Sequence, residues 1–232
     1  MELLDDLLLR LHVIAGFCSL ILFMVPMILK KGSEWHKKTG KMYVIGMWIV
    51  VMSAFFLSVI NFIQGRQTLA VFLGFLSLIT ANALWYGVAV LKQDKDISNS
   101  FAKKIRLFEM IIFILAVLII AWVCILPWSP QSVLLLIFSG LGLTAGKRAF
   151  TILPKLKSEL DRMGDHIQGM LSSAIAAFTA FLVFGGSNLI NGIYDSQLYI
   201  LFWVLPGVIG GFAIALYRKK YSPKVSAKKI VA

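Results

Sequence analysis

Seven long apolar runs, separated by short polar stretches, make up almost the whole chain. The hydrocarbon core of a bilayer is about 30 Å thick, and a helix crosses it with about 20 residues that each rise about 1.5 Å. Helices are expected because backbone polar groups in lipid must form their hydrogen bonds within the segment itself. The predicted spans are Leu7–Leu29, Met42–Ile63, Thr68–Leu91, Leu107–Trp128, Gln131–Ile152, His166–Ile190 and Ser196–Tyr217.

The pattern predicts an all-α integral membrane bundle of about seven transmembrane helices, formed as a single domain by residues 1–221. The fifth span is the least regular, because its apolar part stops at Gly146, before Lys147 and Arg148. Residues 149–153 either continue this span or lie along the membrane interface.

Small residues at helical spacing predict where helices approach each other, because helices in lipid associate largely by close packing. The fifth span contains Gly142 and Gly146, and the sixth contains Gly169, Ser173 and Ala177. We expect these positions to lie at contacts between helices.

Lysine and arginine are concentrated in alternate connections. The connections after the first, third and fifth spans and the C-terminal stretch together hold 21 of the 23 basic residues, and Arg10 and Arg66 are the other two. Because basic residues favour the cytoplasmic side, we expect the N-terminus outside and the C-terminus in the cytoplasm. Residues 222–232 are expected to form a basic cytoplasmic tail attracted to anionic lipid headgroups.

Aromatic residues near the ends of the spans predict belts at the two membrane interfaces. The predicted outer belt consists of Trp128, Tyr194, Tyr199 and Trp203, and the predicted inner belt of Trp35, Tyr43, Tyr217 and Tyr221.

Composition excludes an ordinary soluble protein. The chain is 59% hydrophobic and 15% charged, whereas soluble domains are about half apolar and about a quarter charged. The net charge of +12 does not indicate a nucleic-acid partner, because the charges lie between apolar segments. The start of the chain, from Met1 to Asp6, lacks the basic region of a secretory signal, so we expect the first span to be retained. The expected location is the bacterial cytoplasmic membrane, with lipid and a second copy or another membrane protein as partners.

Histidine at membrane depth is a candidate for function, because ionisable groups are costly there. His12 is predicted near the outer face, His36 in the first cytoplasmic loop, and His166 at the cytoplasmic start of the sixth span. His36 and His166 therefore share a side, and His12 lies about 25 Å away along the bilayer normal. A pair is possible, but a compact triad is not expected.

A glycine follows each histidine by three or four residues: Gly16, Gly40 and Gly169. On a helix these glycines would share a face with the imidazole and would let a flat group approach. This arrangement suits haem b with imidazole as the axial ligand. It suits plain helix packing equally well, and a zinc site is a third possibility.

Charged residues near the cytoplasmic face form a second set of candidates. Glu109 lies one turn inside the fourth span, where Lys147 or Arg148 could pair with it. Asp165 directly precedes His166 and is expected to cap the helix that begins there. Asp165 and Glu109 are expected either to orient the histidine pair from behind or to form a structural ion pair.

Two stretches resemble a known family. The first includes Leu11-His12-Val13-Ile14-Ala15-Gly16, Lys31-Gly32 and His36-Lys37-Lys38-Thr39-Gly40-Lys41-Met42-Tyr43, and the second His166-Ile167-Gln168-Gly169-Met170 with Ala176-Ala177-Phe178-Thr179-Ala180-Phe181. They resemble a family of bacterial polytopic membrane proteins catalogued as a domain of unknown function. The resemblance implies that His12, His36 and His166 are the marked positions of that family, and it implies no activity.

Three main classes of function remain open, besides an intramembrane hydrolase with a metal-activated water, which is disfavoured because only two histidines share a side. The first is a haem- or metal-binding redox or accessory protein with its site at the cytoplasmic face. The second is a transporter or channel for protons or a small solute, which would use Glu109 with Lys147 or Arg148 and His12 as an outer relay. The third is a structural or assembly protein without a ligand. Serine-hydrolase and metalloprotease motifs are absent from the sequence, and the last span contains no lysine for a retinal Schiff base.

Overall fold

The computed structural model describes residues 2–93, 98–127, 130–152, 161–185 and 199–221, and within them the chain forms seven long helices and no strand. All seven are long and apolar enough to cross a membrane. The helices are α1 (Glu2–Ile28), α2 (Glu34–Ile63), α3 (Gln67–Ala89), α4 (Asn99–Ile125), α5 (Pro130–Lys147), α6 (Arg162–Ala180) and α7 (Tyr199–Tyr221). The predicted all-α class is confirmed. The orientation of the termini stays a prediction, and the predicted tail lies outside the described residues.

Four helices begin at least four residues earlier than the apolar runs suggest: α1 begins at Glu2 instead of Leu7, and the other three have a side-chain cap. Helices α2, α4 and α6 begin at Glu34, Asn99 and Arg162 instead of Met42, Leu107 and His166. Their first turns are polar, so hydropathy does not detect them. Residues preferred at helix starts mark them instead, because each presents a side-chain oxygen to the free backbone N–H groups of the first turn.

The caps correct two expectations. The Ser33 hydroxyl accepts from the backbone N–H of His36 at 3.2 Å, so His36 lies in the first turn of α2 and not in a loop. Asp161, not Asp165, caps α6, because its carboxylate accepts from the N–H of Gly164 at 2.9 Å.

Helix α5 does not stop at the first basic residue. It continues as a π-helical turn over Arg148–Ile152, in which Ala149 is buried. Residues 148–152 therefore extend the fifth helix instead of forming a separate interfacial segment. The same kind of turn, Phe181–Gly185, extends α6, and a 3₁₀ turn, Val90–Lys92, extends α3.

The core lies between α3, α6 and their neighbours. Helix α3 packs against α2 and α6, α1 packs on α2, α5 packs on α4, and α7 packs on α6. One cluster centres on edge-to-face contacts of Phe72, Phe138 and Trp203, with ring centroids 5.1–5.8 Å apart. Trp203 is only 4% exposed, so its assignment to the outer aromatic belt is wrong. Tyr43 is likewise buried inside the bundle, where its hydroxyl is 2.7 Å from Ser173 Oγ.

The helix ends that flank the basic connections meet at one end of the bundle. We call this the basic end: there α1, α3, α5 and α7 finish and α2, α4 and α6 begin. Arg162 Nη1 donates to the carbonyl of Gln93 at 2.8 Å, which joins the start of α6 to the end of α3. The Lys31 ammonium lies 5.7 Å from the ring centroid of Tyr217 and 5.9 Å from that of Tyr221, which joins the α1–α2 connection to the end of α7.

Glycine permits the closest helix contacts. A Cβ on Gly169 would lie 2.5 Å from Gly87 Cα and 2.6 Å from the carbonyl oxygen of Ala83, so α3 and α6 cross backbone to backbone. A Cβ on Gly142 would lie 2.6 Å from Ala116 Cβ, and one on Gly146 would overlap the Phe113 ring. Ser173 and Ala177 also lie in the packed interior around α6.

Candidate functional site

His36 and His166 are both held at the basic end by the end of another helix. His166 Nδ1 lies 2.7 Å from the carbonyl oxygen of Gly87 in α3. His36 Nδ1 lies 3.2 Å from the carbonyl oxygen of Pro26 in α1. Both carbonyls belong to the last turn of their helix, where carbonyl groups lack a helical N–H partner. An imidazole N–H can therefore satisfy each of them.

This hydrogen bond fixes which nitrogen of each ring is available. A neutral imidazole that donates from Nδ1 carries its lone pair on Nε2, which can then accept a proton or bind a metal. Neither Nε2 of His36 nor that of His166 has a hydrogen bond to the part of the chain that the structure describes. Both rings therefore have the form that a histidine ligand usually takes, with a second partner orienting it.

Lys31 contributes a cation beside the pair. Its ammonium donates to the carbonyls of Pro26 at 2.8 Å and Met27 at 2.9 Å, so it caps the end of α1. Both Lys31 and His36 lie within electrostatic range of His166. Burial lowers the pKa of Lys31 below its ordinary value; Tyr221 opposes this shift and Lys220 adds to it.

His12 does not join this pair. Its Nδ1 lies 3.1 Å from the carbonyl oxygen of Val50 and 3.0 Å from Ser53 Oγ, both in α2. Pro26, which holds His36, is 14 residues further along α1, or about 21 Å at 1.5 Å per residue. Among the described residues, no group of three or more histidine, cysteine, aspartate and glutamate side chains is placed to hold a metal ion.

The three glycines that follow the histidines have different surroundings. No described atom lies within 4 Å of a Cβ built on Gly40, which shares a helix face with His36. The space next to Gly169 is instead occupied by Gly87, and the two glycines allow α3 and α6 to cross closely. Gly16 is in ordinary contact with Val50, 3.9 Å from its Cγ2. The position one turn after His36 is therefore open among the described residues, whereas that at Gly169 is occupied.

A second constellation surrounds Glu109, whose side chain is buried in α4 with only 2% of the residue exposed. Its Oε1 lies 3.4 Å from Arg148 Nη1 and 3.2 Å from Asn82 Nδ2. Of the two cations that the sequence offered as partners, Arg148 is the one at contact distance, and the side chain of Lys147 is exposed.

The constellation continues from Glu109 towards α6 and α7. The Arg148 guanidinium carbon lies 5.0 Å from the ring centroid of Tyr86, whose hydroxyl donates to Asp165 Oδ2 at 2.8 Å. Asp165 Oδ1 lies 3.4 Å from Arg218 Nη2. We call this set the polar network: Asn82, Glu109, Arg148, Tyr86, Asp165 and Arg218.

Asp165 therefore contacts a tyrosine and an arginine, and Glu109 contacts an arginine and an amide. Neither carboxylate contacts His36 or His166, so the expected orienting role belongs to the carbonyls of Pro26 and Gly87 instead.

The sequence did not reveal Tyr86 and Arg218 as parts of a site. Arg218 is one of six basic residues in the C-terminal stretch, and nothing in its spacing distinguishes it. In the structure it contacts Asp161, Asp165 and Gln168 together. Tyr86 lies in a long apolar run, where an aromatic residue normally indicates packing alone.

No family model, curated protein or solved structure matches this chain. The resemblance carried by the histidine-bearing stretches stays a prediction. The seven helices make the chain a multi-pass membrane protein. A function for this protein is therefore inferred from the contacts at its basic end.

Proposed function

We propose that this chain is a small haem-binding protein of the bacterial cytoplasmic membrane, in which His36 and His166 would hold the haem on the cytoplasmic side. The observation that carries the proposal is the pair of imidazoles at the basic end. Each ring is oriented through Nδ1 by a backbone carbonyl, and each leaves its Nε2 lone pair without a hydrogen bond to the described residues.

The number of ligands favours haem over zinc. A haem iron needs only one or two protein ligands, because the macrocycle supplies the other four positions. Zinc sites take three or four protein ligands, and no such group is present in the described part of the chain. The position at Gly40, one turn after His36, is open among the described residues, which also favours a flat ligand.

A bound haem would supply one-electron transfer, which makes a redox or accessory role the natural function. The residues of the chain would bind and orient the group. Gly87 and Pro26 fix the rings through their carbonyls, and the Lys31 ammonium provides positive charge for an acidic substituent. Fixed imidazole orientation stabilises ligation because less freedom is lost on binding.

The direct test is the haem content of protein purified from membranes of cells supplied with haem. We expect a Soret band that sharpens on reduction, and we expect His36→Ala and His166→Ala each to remove most of it. His12→Ala is the matched control, since His12 also bonds a backbone carbonyl through Nδ1. A stoichiometric zinc signal without a visible band would show that the bound group is zinc and not haem. Absence of both would overturn the proposal.

The cytoplasmic orientation has its own test. Single cysteines are placed at Ser33 and Ser98 at the basic end and at Gln64 at the opposite end, in a chain carrying Cys18→Ala and Cys124→Ala. An impermeant thiol reagent added to intact cells should label Gln64→Cys alone. Labelling of Ser33→Cys or Ser98→Cys would show that the basic end faces outward, opposite to the orientation that the basic residues favour.

A second candidate is transport of protons or a small solute. The buried contact between Glu109 and Arg148 favours it, because charged pairs at membrane depth often mark ion pathways. His12 is less suited to the relay role, since its contacts are with Val50 and Ser53 of the neighbouring helix. The test is proton flux through the purified protein in vesicles with an imposed pH gradient. Flux that is lost in Glu109→Gln would favour transport, and flux that is kept in His12→Ala would show that His12 is not a relay.

A further inference from the structure

The contacts of Glu109 are unevenly divided between its two oxygens. Both Arg148 Nη1 and Asn82 Nδ2 approach Oε1. Oε2 has no hydrogen bond to the described residues. The oxygen of the Asn82 side-chain amide also lacks a partner: Oδ1 is buried and has no hydrogen bond to the described residues. A buried acceptor without a partner beside a carboxylate normally costs free energy.

The single ion pair is weak support for a buried charge. Guanidinium–carboxylate pairs that hold a charge firmly are bidentate, with N···O distances of about 2.7–2.9 Å. Here one nitrogen faces one oxygen at 3.4 Å. Removing a carboxylate from water costs several kcal/mol, and such a contact offsets only part of that cost. The neutral acid is therefore an accessible state of this side chain.

Asn82 fits both states of the carboxyl group. Its amide carries a donor on one side and an acceptor on the other, and a half-turn of the amide exchanges them. With Glu109 ionised, Nδ2 donates to Oε1, as the structure has it at 3.2 Å. With Glu109 protonated and the amide turned, the acid O–H donates to Oδ1, which gives the unpartnered acceptor its hydrogen bond.

We propose that Glu109 is a proton-binding site within the membrane, and that Asn82 is the positioning residue that accommodates both its charged and its neutral form. The proton comes from water at the basic end and returns there. On uptake the carboxylate becomes a carboxylic acid and the site gains one positive charge. This proposal does not depend on haem binding.

The surroundings connect this site to α6. The groups that face Glu109 are Asn82 and Tyr86 from α3 and Arg148 from the end of α5, and on α4 itself the nearest charged residue, Arg106, is exposed. Arg148 also lies within electrostatic range of Asp165 in α6. When Glu109 is neutral, Asp165 is the remaining nearby anion, so the guanidinium is drawn towards the helix that carries His166.

The test is infrared difference spectroscopy of the full chain in lipid nanodiscs, recorded through a pH titration over which the fold is retained. We expect the C=O band of a protonated carboxylic acid that is shielded from water, at higher frequency than the bands of the exposed carboxyl groups, to appear as the pH falls and to be absent in Glu109→Gln. Glu34→Gln, which removes an exposed carboxylate at the same end, is the matched control and should keep the band. Glu109→Asp guards against misfolding of the first variant and should retain a shifted band.

Asn82 is tested in the same experiment. In Asn82→Ala the acid loses its acceptor, so the band should move to higher frequency, as expected of a carboxylic acid with a weaker hydrogen bond. Persistence of this high-frequency band in Glu109→Gln, or its absence from the wild-type protein at every pH, would overturn the proton site. An unshifted band in Asn82→Ala would overturn the positioning role while the haem proposal stood untouched.

Discussion

His12 and His166 form the same local hydrogen bond in different surroundings. Each ring contacts a backbone carbonyl of a neighbouring helix through Nδ1, at 3.1 Å and 2.7 Å. His166 lies where several helices end together, beside His36, Lys31 and the polar network, whereas His12 is bonded only to α2 among the described residues. The comparison teaches that an oriented imidazole is not by itself a candidate ligand. It becomes one when other helices place a second imidazole and charged side chains next to it.

Two ion pairs, one at each end of the bundle, also form similar contacts in different surroundings. Asp6 and Arg10 form a pair at 2.9 Å on the surface of α1, with most of both side chains exposed. Glu109 and Arg148 are further apart, but the carboxylate side chain is only 3% exposed. Solvent screens the first pair, so its contribution to stability is about 0–1 kcal/mol at most. The second pair is not screened in this way.

The largest expected effect separates these two pairs. Glu109→Gln should raise the free energy of unfolding by about 2 kcal/mol at pH values where Glu109 is ionised, because the neutral amide avoids the cost of a buried charge that the single 3.4 Å contact with Arg148 offsets only in part. As the pH falls and the wild-type carboxylate takes up its proton, both proteins lack the charge and the difference should shrink. Thermal unfolding in detergent over a range of pH measures this.

Asp6→Asn is the matched control and should change unfolding by no more than about 0.5 kcal/mol at any pH. If Glu109→Gln has no effect at any pH, the Glu109 carboxylate is adequately stabilised and the two ends of the bundle do not differ in this respect.

The next effect concerns the crossing of α3 and α6. Gly169→Ala places a methyl group against the backbone of Gly87 and Ala83, so it should destabilise the protein by about 1–3 kcal/mol. The shift should also move the His166 ring away from the carbonyl of Gly87 and reduce haem retention. Gly211→Ala in α7 is the control, since its Cβ meets no described atom within 4 Å and a helical glycine-to-alanine change is stabilising by about 0.4–1 kcal/mol. Equal stability of the two variants would show that the helices do not cross this closely.

The smallest effect isolates His36 through its helix cap. Ser33→Ala and Ser98→Ala each remove the cap of a helix that begins at the basic end, and each should cost about 1 kcal/mol. Only α2 carries a proposed ligand in its first turn, so only Ser33→Ala should weaken haem retention. Equal haem loss in both variants would mean that general loosening of this end, and not the position of His36, controls binding.

The number and approximate place of the helices could be predicted because apolar length is a strong signal in a membrane protein. Helix starts could not be predicted from hydropathy, since the first turns of α2, α4 and α6 are polar. Their caps at Ser33, Ser98 and Asp161 carry the missing information. Trp203 shows the opposite error: its position near a span end suggested the interface, but Phe72 and Phe138 enclose it.

The candidate site could be predicted only in part. The positions of basic residues placed His36 and His166 at the same end, and the contacts of Lys31, Arg162 and Arg148 agree with one shared end. Which groups orient each ring depends on how helices cross, and that depends on Gly87 and Gly169 meeting across the chain. A pair of glycines so far apart in sequence gives no local signal.

The spin state of ferric haem in the purified protein tests the central claim most directly, because it reports how many strong ligands the iron has. Two imidazoles from His36 and His166 predict a low-spin electron paramagnetic resonance spectrum. His36→Ala and His166→Ala should each convert it to a high-spin spectrum or lose the haem, while His12→Ala should leave it unchanged. A low-spin signal that survives either of the first two changes, or that disappears in His12→Ala, would contradict the account.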